Sequence, residues 1–303
     1  MPPDLKPFTS VARSPFAAAA GRARAIRWAQ GLAGVAVFLV AAEIAGLLIP
    51  QTVLPRMSTV LSQAAGLAGN GQFLSDMAAT LEAWAVGLLI TVAAGVPLGL
   101  LLGSLPGVRF ATRAIVEFLR PIPSVALILL VSLVVGSGLR MTVTLIVYAG
   151  IWPVLYNVIA GLDDVDPVAK DTLRAFGFGR LAVIRLVSLP SAAPFILTGI
   201  RIASSVALIL DIGAGYVTGR INGPGIGAFI SDANSGAGNT PLVLAATVWA
   251  GFLGLALNGL LVWAGDRLLP WHRASLGPTG QAGVPGRAQR LDHPEAAAAG
   301  TAS

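Results

Sequence analysis

Long apolar stretches, broken by short segments rich in polar residues, glycine and proline, occupy most of the chain. A helix needs about 20 mostly apolar residues to cross a bilayer core. Six stretches meet or approach that length, at 29–49, 81–105, 121–138, 139–160, 193–217 and 241–264. The third is short, and only Gly136-Ser137-Gly138 followed by Arg140 parts it from the fourth. A five-span reading with a re-entrant third segment therefore stands beside the six-span one. The pattern predicts an all-α, polytopic membrane protein with about six transmembrane helices. Residues 1–25 and 275–303 show no amphipathic period and read as disordered tails. The division expected is a basic N-terminal tail at 1–28, a transmembrane domain at 29–272 and a C-terminal tail at 273–303. The first apolar stretch, Gly31 to Ile49, exceeds the 7–15 residues of a signal-peptide core, so an uncleaved span is expected.

Composition narrows the class. Of 303 residues 55% are hydrophobic and 11% charged, against about 25% charged in soluble domains. The mean hydropathy is +0.79. One soluble core could not hold so much apolar material, and disorder is excluded for the same reason. There is no cysteine, and the two histidines, His272 and His293, lie beyond the last span. Thiolate chemistry and a Ser–His hydrolase within the membrane are thereby excluded. A P-loop needs Gly-x-x-x-x-Gly-Lys-Ser/Thr, but the two lysines are Lys6, before Pro7, and Lys170, before Asp171. The chain binds no ATP through that device.

Basic residues predict the orientation. Sixteen of the twenty fall in four segments: Lys6 to Arg27 before span one, Arg109, Arg113 and Arg120 between spans two and three, Lys170 to Arg185 between spans four and five, and Arg267 to Arg290 after span six. Such segments stay in the cytoplasm, which places both termini there. The net charge of +6 is spread over these segments and forms no single basic domain, so it implies topology and anionic lipid contact, not nucleic acid.

Ionisable residues within the spans are Glu43, Glu82, Asp211 and Arg201. Each is costly in hydrocarbon and so a functional candidate. Glu82 and Arg201 lie near the starts of their spans, within reach of interfacial water. Glu43 and Asp211 lie deeper and are candidates for the translocation path, with a structural role the alternative. Gly95, Gly99 and Gly103 recur every four residues on one face of span two, a spacing that lets helix backbones approach. Pro97 and Pro153 permit bends. Gly223-Pro224-Gly225-Ile226-Gly227 follows no strand and reads as a turn before a short helix.

The segment from Leu162 to Pro190 is the most informative. Asp166 can cap a helix whose first position is Pro167, and Gly177 is a C-terminal stop. Ala169, Leu173 and Phe176 share one face, and Lys170, Asp171 and Arg174 the other. A second helix, at about 179–188, is expected to end before Pro190. The capped helix either lies on the lipid surface or docks in a groove on a partner.

This segment resembles the cytoplasmic signature of permease subunits of bacterial ABC importers: Glu-Ala-Ala, three residues, Gly, nine residues, Ile-x-Leu-Pro. Gly177 is followed by nine residues and then Val187-Ser188-Leu189-Pro190. Asp171 stands at the glutamate position, with Thr172 and Leu173 in place of two alanines. Arg120-Pro121-Ile122-Pro123, Asn157 to Leu162, Leu197 to Ala203, Gly225-Ile226-Gly227, Leu257-Asn258 and Trp271 are similar to the nitrate, sulfonate and taurine branch. The likeness covers about residues 50–272. It implies the type I ABC importer permease fold in the bacterial inner membrane, paired as a homodimer around a central path. Separate ATPase subunits would bind the helix at 167–177 through Asp171, Thr172, Leu173, Arg174, Phe176, Gly177, Leu189 and Pro190. An extracytoplasmic solute-binding protein would deliver a small solute such as a sulfonate, nitrate or taurine. ATP would be held by the partner, leaving this chain with no cofactor, no metal and no catalytic residue. A secondary transporter coupled through Glu43 or Asp211 is the alternative, but it has no need for the capped helix.

Overall fold

The computed structural model describes residues 15–50, 54–235 and 239–270, and every regular element among them is helical. In order these are α1 (Pro15–Leu48), α2 (Met57–Leu67), α3 (Gly71–Ser104), α4 (Pro106–Leu119), α5 (Leu127–Val135), α6 (Leu139–Asp163), α7 (Pro167–Ala175), α8 (Arg180–Val183), α9 (Leu189–Thr218), α10 (Ile226–Ser235) and α11 (Thr240–Leu268). Five segments among the described residues are long and apolar enough to cross a membrane: Ala29–Leu48 of α1, α3, α6, the rod Arg180–Asn222, and α11. Helix α1 begins at Pro15, so residues 15–25 are helical and not the disordered tail expected there. The rest of both expected tails, with Lys6, Arg13, Trp271, His272 and His293, lies outside the described residues.

Helix α3 starts ten residues before the apolar stretch that announced it. Asn70 is its N-cap, its side-chain oxygen accepting the Phe73 N–H at 3.0 Å, which satisfies one of the orphan donors of a helix start. The early start brings Gln72, Asp76 and Thr80 into the helix.

Helices α3 and α6 pack through small residues from Gly87 to Gly103 of α3 and from Ile146 to Leu162 of α6. Gly87 faces Ile146, Thr91 faces Gly150, and Gly95, Gly99 and Gly103 face Val154, Val158 and Leu162. A Cβ on Gly99 would stand 2.6 Å from Cβ of Val158, well inside the 3.5–4.0 Å of a carbon–carbon contact. In lipid such backbone proximity, and not expulsion from water, holds helices together. Residue numbers rise together along this seam, so α3 and α6 run parallel. Antiparallel to both, α9 closes the core. Gly161 lies against Ala192 and Phe195, Gly199 against the Pro153 carbonyl, and Trp84 Nε1 of α3 donates to the Ser204 carbonyl at 3.2 Å.

Because α3 and α6 are parallel, residues 105–138 must return across the bundle. Helices α4 and α5 make that return, lying against α6. Arg109 pairs with Asp163 at 3.0 Å. Val108 and Val116 pack with Leu155 and Ile159. Tyr148 Oη donates to the Leu119 carbonyl at 2.8 Å. Ile128 of α5 packs with Met141 and Leu145, and Gly138 N–H donates to Asn222 Oδ1 at 2.7 Å. The expected span at 121–138 is thus corrected: α5 has nine residues, about 13.5 Å at 1.5 Å per residue, and cannot cross alone. Pro121 and Pro123 forbid helical hydrogen bonds at its start, while Gly136 and Gly138, at φ 89° and 87°, end it.

Candidate functional site

Helix α7 protrudes at the end of the bundle that holds Ser104, Asp163 and Leu189. Asp166 Oδ1 accepts the Val168 N–H at 2.9 Å, and Pro167 occupies the first turn. The helix ends in a Schellman motif, with Phe178 N–H donating to the Leu173 carbonyl at 3.1 Å and Gly177 N–H to the Arg174 carbonyl at 2.9 Å. That geometry needs a left-handed residue, and Gly177 supplies φ 84°. None of α7 is buried. Ala169, Lys170 and Leu173 are half-buried toward the bundle, and Lys170 Nζ donates to the Leu162 carbonyl at 3.1 Å. Asp171 and Arg174 pair with each other at 2.9 Å on the open side. Phe176 does not share the inward face of Leu173: it is 78% exposed. Asp171, Thr172, Arg174, Phe176 and Gly177 thus form one open surface, backed by Leu173, while Leu189 and Pro190 lie one helix away at the start of α9.

Pro190 does not end a helix, which corrects the expected break. Residues Ile184–Ser188 form a π turn that joins α8 to α9 without interruption, and Leu189 N–H bonds to the Ile184 carbonyl five residues back. The wider turn admits the proline, whose ring would clash with a carbonyl in an α-helical turn.

A second polar centre lies at the opposite end, and none of its three charged members, Asp76, Arg220 and Asp232, is among the candidates the sequence offers. Asp76 is fully buried and accepts from Arg220 Nη1 at 2.6 Å and Nη2 at 2.9 Å. Arg220 Nε also donates to Asp232 at 2.6 Å. Asp76 further accepts the Gly225 N–H at 3.1 Å, and Thr80 Oγ1 accepts the Ile226 N–H at 3.1 Å. This clasp ties α3 to the end of α9 and to the start of α10. The glycine-rich segment is the expected turn before a short helix, and its Gly225 and Ile226 N–H groups are taken up by the clasp. No side chain fits at Gly227, where one would collide with the Ile212 carbonyl.

Beside the clasp is a cavity of about 240 Å³ between α3, α6 and α9. Its lining includes Glu82, Thr142, Asp211 and Asn222. Asp211 is 8% exposed. It shares a hydrogen bond with Thr80, and its Oδ2 has no partner. Glu43, the other candidate for the translocation path, lies elsewhere: it accepts the Ser58 N–H at 2.8 Å and the Ser58 hydroxyl at 2.9 Å, fastening α1 to the start of α2. Arg201 donates to Asn258 of α11 at 3.3 Å.

Arg120 is also not where its loop assignment put it. Its guanidinium carbon stands 4.4 Å from the ring centroid of Tyr156, about two turns along α6 from Asp163. It is exposed, at the break between α4 and α5, with a cation–π contact and no carboxylate within ion-pair distance among the described residues. The break between α4 and α5 is what brings the guanidinium alongside Tyr156. Among the described residues no cluster of His, Cys, Asp or Glu is arranged to hold a metal.

Three comparisons bear on this geometry. The family model described as binding-protein-dependent transport system inner membrane component matches residues 95–271. The nitrate import permease protein NrtB of Leptolyngbya laminosa is 30% identical over 195 residues, 64% of this chain and 68% of its own. The taurine transport system permease protein TauC of Escherichia coli K12 is 30% identical over 235 residues, 74% of this chain and 82% of its own. A chain of the MetNI methionine ABC transporter in an inward-facing conformation superposes with a TM-score of 0.54 at 22% identity, over 65% of this chain and 94% of that one. The fold is that of ABC importer permeases.

Proposed function

The chain belongs to the family of binding-protein-dependent transport system inner membrane components, and from that membership we propose how it couples and what it carries. It is a multi-pass permease subunit of an ABC importer, a transport component and not an enzyme, and it works with an ATPase and a solute-binding protein. In our reading the helix and turn at 167–177 dock in a groove on the ATPase, Asp171, Arg174 and Phe176 making the contact and Gly177 setting the turn. The ATPase holds the nucleotide, and this chain holds no cofactor. Residues 29–272 form the permease domain in the plasma membrane, paired with a second copy, with both termini in the cytoplasm on the α7 side.

The observation that carries the coupling role is α7 itself. A helix capped at both ends with no buried residue gains little from its own chain, and its form makes sense as a surface for another protein. The solute is a small molecule of the sulfonate, nitrate or taurine kind. The relatives favour that class, and Arg120, exposed beside Tyr156 with no carboxylate at ion-pair distance among the described residues, offers its anionic group a site.

The test is uptake in proteoliposomes holding the permease, its ATPase and its binding protein. Uptake should require ATP, survive a proton uncoupler, and fall when Asp171 or Gly177 is replaced while membrane insertion is retained. Uptake that persists without the ATPase and collapses with the uncoupler would refute the proposal in favour of a gradient-driven transporter.

A further inference from the structure

We propose that the cavity at Asp211 binds the ammonium group of a small solute. This rests on the permease reading above and narrows its solute class. Two carboxylates, Asp211 and Glu82, line the cavity, and no lysine, arginine or histidine does. Asp211 is more than nine-tenths buried, and Oδ2 lacks a hydrogen-bond partner. A buried acceptor left unpaired is costly, and one in a membrane-spanning segment more so, so an occupant that donates there is stabilising.

Among the described residues no donor of the chain reaches Oδ2. Asn222 Nδ2 donates to Thr142 Oγ1 at 2.9 Å, and Asn222 Oδ1 already accepts from Gly138. Thr80 is shared between Ile226 N–H and Asp211. The nearby guanidinium of Arg220 is held by Asp76 and Asp232, and Arg140, one residue past Leu139, is exposed and not part of the lining. A donor brought by an occupant would satisfy Oδ2. A primary ammonium brings three donors and a positive charge, which suits two carboxylates in a low-dielectric wall, whereas a bare oxyanion is repelled by them. Gly138, Gly215, Gly223 and Gly225 contribute walls without side chains. The volume, about 240 Å³, lies below the roughly 300 Å³ at which drug-sized pockets begin, so the solute is small.

The test is equilibrium binding to the permease–ATPase complex in phospholipid nanodiscs, without the binding protein. The probes are 2-aminoethanesulfonate and ethanesulfonate, which differ only by the amino group. The wild type should bind the amino compound at least tenfold more tightly. Asp211→Asn, which preserves shape, should bring the two within about threefold, and Glu82→Gln, on an exposed position, should narrow the gap in part. Equal binding of the pair by the wild type, no binding of the amino compound, or discrimination that persists in both variants would overturn the proposal. Association with the ATPase is read on the same samples. Its absence in the wild type counts against the permease reading, whatever the probes show.

Discussion

Gly177 offers a perturbation in which backbone conformation alone is tested. Its φ of 84° lies where an L-residue is disfavoured by about 1–2 kcal/mol, yet a Cβ there would meet nothing within 4 Å. Alanine therefore brings conformational strain without a clash. The strain falls on the Schellman bonds of Gly177 and Phe178, so the last turn of α7 opens and the Phe176 and Arg174 positions are lost. Restoring that turn on binding would weaken ATPase association by the same 1–2 kcal/mol, roughly 5- to 30-fold in Kd. Titrating labelled ATPase onto nanodisc permease measures this directly. Gly177→Asn should cost least, since asparagine tolerates the left-handed region, and Gly177→Val most. Thermal unfolding of the bundle should move little, because no residue of α7 is fully buried. If the alanine variant binds the ATPase as tightly as the wild type, or asparagine is as damaging as valine, the turn is not what positions the contact.

Other outcomes follow from packing and charge. Gly99→Ala should destabilise the α3–α6 seam by about 1–3 kcal/mol, lowering Tm in detergent, and Val158→Ala should recover part of it in a double-mutant cycle; Gly66→Ala, with open space at its Cβ, is the control. Arg220→Met should cost about 3 kcal/mol by leaving the fully buried Asp76 unpaired, less than the upper range because Arg220 is 35% exposed; adding Asp76→Leu should restore stability, read as Tm. Asp166→Ala should remove the α7 cap, about 1 kcal/mol, and lower uptake with insertion unchanged.

Much of the α7 end was legible in the sequence because its signals are local. Asp166-Pro167 and Gly177 mark the two ends of a helix within twelve residues, and the glycines at 95, 99 and 103 repeat at the helical period. The failures share a cause of the opposite kind. An average over 18 residues sees the apolar side chains of 121–138 but not that Pro121 and Pro123 divide the crossing, nor that the division lets Arg120 sit beside Tyr156. Asp76 falls outside the second apolar stretch because Gln72 and Ser75 lower the hydropathy around it, and its partner Arg220 lies 144 residues away. Pro190 reads as a stop because a π turn has no signature in residue types. The unpaired oxygen of Asp211 depends on how three helices and a turn meet, which no spacing along the chain encodes.

The uninterrupted rod from α8 through α9 has a mechanical meaning. It crosses α6 closely at Gly199, against the Pro153 carbonyl, and in the proposed coupling that crossing would serve as a fulcrum. Arg180, beside the α7 turn, lies about 28 Å to one side of it, and Asp211 about 18 Å to the other, at 1.5 Å per residue. A shift of about 3 Å imposed at the α7 end swings Asp211 by about 2 Å in the opposite sense. In the proposed pair, drawing two such rods together at the α7 end would spread them at the far side, and the π turn that lets Pro190 into the rod keeps the lever in one piece.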